Sequence, residues 1–226
     1  MEKFNIAIDG PAGAGKSTIA RLVAEALGFV YVDTGAMYRA VTWKIIEEGL
    51  APDQTAEMIA AARRMDIRLA PGDRGQLVYV NGEEVTGQIR SAEVTGNVSR
   101  IASIGEIREI LTAKQKDMAK HKGVVMDGRD IGSHVLPNAE VKVFLTASVR
   151  IRAERRFLEI RDSQPGASIE KLEKEIAERD RMDEQREVSP LVKAVDAVLI
   201  DTSDLSIPEV VERILSLCRS RVGGGK

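Results

Sequence analysis

Near the start of the chain, Gly10-Pro11-Ala12-Gly13-Ala14-Gly15-Lys16-Ser17 constrains the fold more than any other stretch. It matches the pattern GxxxxGK[ST] and stands where that pattern has structural meaning. Before it, Phe4 to Asp9 is a short apolar run with strand character. After it, Ser17 to Leu27 carries Ile19, Leu22, Val23 and Ala26 on one helical face, and Gly28 closes the segment. Strand, glycine loop and helix in that order turn backbone N–H groups and a positive helix end toward a dense anion. Gly10, Gly13 and Gly15 supply the backbone freedom. Lys16 adds a point charge for the β- and γ-phosphates, and the Ser17 hydroxyl is a ligand for Mg²⁺. The expected contacts with a nucleoside triphosphate are Gly10, Pro11, Ala12, Gly13, Ala14, Gly15, Lys16, Ser17 and Thr18.

The rest of the chain alternates. Phe29–Val32, Gly123–Asp127, Val141–Leu145 and Ala197–Asp201 read as further strands. Helices are predicted over about Ala36–Glu48, Gln54–Met65, Ile101–Ala119, Ser148–Arg161 and Ser168–Asp183. A last helix opens at a capping box, Ser206-Ile207-Pro208-Glu209, and runs to about Arg221, before a glycine-rich tail expected to fray. Five apolar strands separated by helices imply a parallel sheet covered on both faces. One stretch breaks the alternation. From Asp66 to Val98, short runs are punctuated by Pro71-Gly72-Asp73, Asn81-Gly82 and Gly87, which are hairpin signals. The fold class is therefore α/β: a five-stranded parallel sheet with helices on both faces and a small antiparallel insert. The core is expected over 1–62 and 101–226, the insert over 63–100, and a short lid at about 152–168.

A cradle says "triphosphate" without saying what becomes of it. No Asn-Lys-x-Asp segment for reading guanine follows a later strand, which favours transfer to a small acceptor over a hydrolytic switch. Two further segments follow strands, where open parallel sheets place their ligands. In Asp33-Thr34-Gly35-Ala36-Met37-Tyr38-Arg39, Thr34 offers a hydroxyl, and Arg39, one turn on, a fork that grips phosphate. Taken alone, Arg39 reads as an ordinary exposed helix arginine. In Asp127-Gly128-Arg129-Asp130-Ile131-Gly132, Asp127 is placed to hold Mg²⁺ through water. Arg129 and Asp130 suit an acceptor bearing a phosphate and a hydrogen-bonding edge. The charged run from Glu178 to Arg186 reads by pattern as a solvated helix face. So do the arginines at 150, 152, 155, 156 and 161.

Composition narrows the classes. With 33 basic and 35 acidic residues the net charge is −2, so no global field attracts nucleic acid or an anionic membrane. Aromatics at 4% are too sparse for base-stacking platforms. One cysteine, Cys218, excludes an intrachain disulfide, and with only His121 and His134 beside it no Cys/His zinc site assembles. A signal peptide and a membrane span are both missing from the pattern, so a cytoplasmic protein is expected.

Taken together, the opening Ile-Asp-Gly-Pro-Ala-Gly-Ala-Gly-Lys-Ser and Asp33–Arg39 resemble the bacterial cytidylate kinases, a family of P-loop nucleoside monophosphate kinases. Val80-Asn81-Gly82-Glu83-Glu84-Val85, Ile89-Arg90, Glu93-Val94 and Asp127–Gly132 extend the likeness. Glu178-Arg179-Asp180, Asp183, Arg186 and Ser189-Pro190-Leu191 carry it over nearly the whole chain. The resemblance implies ATP- and Mg²⁺-dependent phosphorylation of CMP and dCMP by a monomer. It implies that the insert binds the monophosphate and that Ser99, Arg108 and Asp130 contact cytosine. Arg39, Arg129, Arg179 and Asp183 fall on its monophosphate and ribose contacts, and Arg186 on the phosphates or the base. Lys16, Arg129 and Arg186 are the implied catalytic cations; Ser17 and Asp127 the implied metal ligands. Thr34 stands where relatives often have serine and keeps the hydroxyl. Met182 stands where some have arginine, and position 182 receives no role. A kinase of another small acceptor and an ATP-dependent switch stay open as readings of the residues themselves. A nucleic-acid-binding protein is disfavoured by the −2 charge and the sparse aromatics.

Overall fold

The computed structural model describes residues 3–72, 75–162, 164 and 166–222. In chain order the first elements are β1 (Asn5–Asp9), α1 (Lys16–Leu27), β2 (Val30–Asp33), α2 (Thr34–Glu47) and α3 (Thr55–Arg64). They are followed by β3 (Ile67–Gly72), β4 (Gly75–Val80), β5 (Glu83–Glu84), α4 (Ala92–Ile101) and α5 (Gly105–Ala119). The last are β6 (Val124–Gly128), β7 (Val141–Thr146), α6 (Val149–Ile160), α7 (Ile169–Glu184), β8 (Val198–Asp201) and α8 (Ile207–Val222).

Two compact units divide the chain, 1–31 with 122–226 and 32–121. The expected insert, 63–100, lies inside the second, together with α2, α3 and α5. The large sheet has the strand order β2-β6-β1-β7-β8. β1 is central, with Ile6 opposite Val125 of β6 and Val141 of β7, all in parallel register. Every residue of β1 and β6 is buried, as strands covered on both faces require, and this is why both read as unbroken apolar runs. In the first unit Phe4, Ile6 and Ile8 pack with Val23 of α1, Val143 of β7 and Ile214 of α8. α6 and α7 share a smaller cluster of Ala153, Ile160, Leu172 and Ile176.

The second unit has its own core, built from Met37, Val41 and Ile45 of α2, Met58 of α3, Ile101 of α4 and Leu111 of α5. β3, β4 and β5 form the expected antiparallel sheet. Asn81 and Gly82 turn between β4 and β5 with φ of 51° and 87°, the positive pair that a two-residue hairpin turn demands. One expectation is corrected here. The hairpin-rich texture does not run to Val98: α4 occupies Ala92–Ile101, and the helix expected from Ile101 begins at Gly105 as α5. Ser91 caps α4 by accepting from Val94 N at 3.2 Å, and Val94, Val98 and Ile101 form its buried stripe. Packing of that stripe outweighs the helix-weakening Thr95 and Gly96.

Asp73 of the first hairpin, Ser163 and Pro165 of the expected lid, and the tail 223–226 lie outside the described residues. Among the described residues, no helix is long and apolar enough to cross a membrane.

Candidate active site

The phosphate cradle follows directly from β1. Gly10 has φ +147°, and a Cβ there would stand 2.0 Å from the Leu145 carbonyl oxygen; Gly13 has φ +75°, with the Arg152 Cβ 3.1 Å from where its own would be. Both positions therefore disfavour a side chain on conformation, and at Gly10 space excludes one as well. α1 starts behind Gly15, which has no side chain with which to cap it. The first-turn amides are thus left for an anion to satisfy. Lys16 is buried, and its Nζ donates to the Pro11 carbonyl at 2.7 Å. Burial lowers its ammonium to about 7; the charge of Arg129 adds to the effect and that of Asp127 opposes it.

Asp127, at the C-terminal end of β6, accepts one hydroxyl on each carboxylate oxygen. Ser17 Oγ donates to Oδ2 at 3.0 Å, and Tyr31 OH to Oδ1 at 2.9 Å. A serine hydroxyl and a carboxylate held together at the cradle are hard oxygen donors, and they fit Mg²⁺. Among the described residues no three acidic, histidine or cysteine side chains gather as a metal cage.

Asp9 ends β1 and is buried. It accepts from Ile131 N at 2.8 Å and Gly132 N at 2.7 Å, and so holds the Asp127–Gly132 loop where it turns into a π-helical turn at Ile131–Val135. Burial raises its carboxyl to about 6, against the pull of those two amides. On the same loop, Arg129 Nε donates to Asp183 Oδ2 at 2.9 Å, and Asp130 is buried. Arg186 NH1 lies 3.7 Å from Asp183 Oδ1, with both side chains almost wholly buried. Burial works against the charges of Arg129 and Asp183, yet each keeps the other ionised: the arginine is held above its usual value and the carboxyl below. Arg179, half-buried on α7, contributes to the low carboxyl. The first unit therefore brings together the cradle 10–18, Asp127, Arg129, Asp130, Arg179, Asp183 and Arg186.

Thr34, Arg39, Ser99 and Arg108 belong to the second unit. Asp33 caps α2 by accepting from Ala36 N at 2.9 Å, which fixes the buried Thr34 at its start. Arg39, also on α2, donates from NH1 to Thr95 Oγ1 at 2.9 Å and to the Ile89 carbonyl at 3.3 Å. Ser99 is buried on α4. Arg108 on α5 is buried, donates to the Ala102 carbonyl at 3.1 Å, and has its guanidinium carbon 5.2 Å from the centre of the Tyr38 ring.

Several of these groups escape a reading of the sequence alone. Arg152 reads by pattern as one of the solvated arginines of α6, but it is buried. It donates to the Ala12 carbonyl of the cradle at 2.8 Å, to the Ala147 carbonyl at 2.9 Å and to Asp180 Oδ2 at 2.6 Å. The signal was its place on the apolar stripe Val149–Ala153–Ile160. Asp9 and Tyr31 give fainter signals, an acid closing an apolar strand and a phenol on a short one.

A family model described as cytidylate kinase matches residues 6–220. The cytidylate kinase of Geobacillus sp. (strain WCH70) is 52% identical over 220 residues, covering 97% of this chain and 98% of that one. The cytidylate kinase of Lysinibacillus sphaericus (strain C3-41) is 49% identical over 221 residues, covering 98% and 99%. Among solved structures, shikimate kinase from Acinetobacter baumannii in complex with shikimate aligns with a TM-score of 0.52 at 17% identity, over 99% of this chain and 96% of that one. At that identity the likeness is one of fold.

Proposed function

The chain belongs to the cytidylate kinase family and is a nucleoside monophosphate kinase, and from that membership we propose that it transfers the γ-phosphoryl group of ATP to CMP and dCMP. The observation that carries the proposal is the arrangement around the cradle. An uncapped helix start, a buried Lys16 and the Ser17–Asp127 pair converge on one place. Such a place suits a metal-bound triphosphate.

The donor phosphates lie on residues 10–18, with Lys16 on the β- and γ-oxygens. Ser17 and Asp127 would hold Mg²⁺, which when bound neutralises charge on the phosphate oxygens. CMP presents a phosphate that is already anionic at neutral pH, so no strong general base has to prepare it. This chain's task is alignment and neutralisation. Arg39, Arg129 and Arg179 grip the acceptor phosphate. Arg186, buried at Asp183, supplies charge where it builds as the phosphoryl group moves from leaving to attacking oxygen. Asp183 exchanges one of its guanidinium partners for the ribose. Asp130 accepts from the cytosine 4-amino group. Arg108 donates to the N3 and O2 acceptors, and Ser99 completes the base contacts. Uracil would set a carbonyl oxygen against the Asp130 carboxylate, and a mismatch of this kind separates bases by about 1–3 kcal/mol.

An acceptor screen with ATP and Mg²⁺ tests the proposal. ADP release is expected with CMP and dCMP, weakly with UMP, and not with AMP or shikimate. Asp130→Ala is expected to lose CMP affinity and base preference together. ADP release independent of any acceptor, or no CDP from CMP, refutes it.

A further inference from the structure

Arg39 is held from two directions by elements of the second unit. Its NH1 donates to Thr95 Oγ1 on α4 at 2.9 Å and to the Ile89 carbonyl at 3.3 Å. Ile89 sits in the 3₁₀ turn Gln88–Arg90, and its fully buried side chain anchors that turn in the core. Thr95 is on the first turns of a helix whose start is fixed by the Ser91 cap. Its hydroxyl therefore sits one side-chain bond from an anchored stretch of backbone.

An arginine is a poor phosphate clamp when its long side chain must be ordered at the moment of binding. Holding one guanidinium nitrogen on two fixed oxygens sets the plane of the fork beforehand. We propose that Thr95 is a positioning residue of the acceptor site: its hydroxyl orients the Arg39 guanidinium toward the phosphate of the incoming monophosphate. The inference rests on the reading of Arg39 as a phosphate contact. Ser99, four residues on, lies one turn along the same helix face as Thr95. α4 would thus serve the phosphate end of the acceptor through Thr95 and its base through Ser99.

Steady-state kinetics with varied CMP at saturating ATP and Mg²⁺ test this. Thr95→Val, which keeps the shape and removes the acceptor, is expected to raise the KM for CMP about tenfold, the effect of one hydrogen bond to a charged group. The KM for ATP should not move, and Thr95→Ser should restore the wild-type value. Thr95→Ala repeats the test should the valine variant fail to fold. In an Arg39→Met background, the further change to valine should have no effect, because it acts through the arginine. A wild-type KM for CMP in both Thr95→Val and Thr95→Ala, with Arg39→Met strongly impaired, overturns the role of Thr95 alone. So does an equal rise for CMP and ATP, or a rise that persists in the Arg39→Met background. A wild-type KM in Arg39→Met itself overturns the reading of Arg39 on which the inference stands.

Discussion

The Tyr31 hydroxyl donates to Asp127 Oδ1 at 2.9 Å, on the opposite carboxylate oxygen from the one that Ser17 reaches. The carboxylate is therefore fixed by two hydroxyls, and only Ser17 is itself a candidate metal ligand. Groups that orient a ligand typically matter by 10–100-fold in metal affinity or activity. Tyr31→Phe is expected to raise the Mg²⁺ concentration for half-maximal rate by about tenfold, with the KM for CMP unchanged. Mn²⁺ binding followed by electron paramagnetic resonance, with an unreactive ATP analogue present, should weaken in step. An unchanged metal dependence would reduce Tyr31 to a packing residue of β2.

Lys16 supplies a second test because its ammonium is held low. Burial brings it to about 7, with Arg129 adding to the effect. An incoming polyphosphate favours the charged form. At pH 8, ATP binding should therefore take up a proton, read as a slope in calorimetric heats across buffers of different ionisation enthalpy. Lys16→Met should remove the slope and lower kcat on the order of 10²–10³-fold, the scale of losing one transition-state donor. Its thermal midpoint should stay close to wild type, since no buried acid loses its only partner. A slope that survives the substitution would place the titrating group elsewhere.

Asp9 couples the same region to stability. Its folded carboxyl titrates at about 6 rather than 3.8, because burial outweighs the amides of Gly132 and Ile131. The folded chain thus holds that proton more tightly than the unfolded chain. The contribution is full below about pH 4 and is lost as pH rises to about 6. At about 1.4 kcal/mol per pKa unit it amounts to roughly 3 kcal/mol. Asp9→Asn has no proton to exchange in that window. The unfolding free energy of wild type minus that of the variant should therefore fall by about 2–3 kcal/mol between pH 4 and 6.5 in urea titrations. A flat difference would mean that Asp9 is solvated.

The sheet was legible because its strands are covered on both faces, so Phe4–Asp9 and Gly123–Asp127 could be read from apolar runs alone. The cradle was legible because its chemistry is local: contiguous residues form the whole nest. α4 was not, since Thr95 and Gly96 weaken its helical signal and only the packing of Val94, Val98 and Ile101 restores it. Asp9, Tyr31 and Arg152 were hidden for a different reason. Each acts on a partner over a hundred residues away or on another strand or helix, as in the contact of Arg152 with Ala12. Spacing along the chain carries no trace of such a pair. Ser99 and Arg108 were reached through family resemblance rather than through any pattern of their own.

Arg152 makes the sharpest of these hidden contacts. It ties the Ala12 carbonyl of the cradle to Asp180 of α7 while buried itself. Replacing it with methionine would leave the Asp180 carboxylate buried opposite an apolar chain. Breaking a buried pair from one side costs about 3–5 kcal/mol. Arg152→Met is therefore expected to lower the unfolding free energy by that amount in urea. Removing both charges, as Arg152→Met with Asp180→Leu, leaves no stranded ion and should recover most of the loss. Function should separate from stability in the same pair of variants. Both lack the donor that steadies the Ala12 carbonyl, so both should show a raised KM for ATP, by about tenfold for one hydrogen bond. Arg152→Lys tests the fork itself, since a single ammonium cannot reproduce the planar set of donors that meets three acceptors. A double variant as unstable as the single one would show that Arg152 stabilises through its own packing. A wild-type KM for ATP in the recovered double variant would show that the cradle keeps its shape without it.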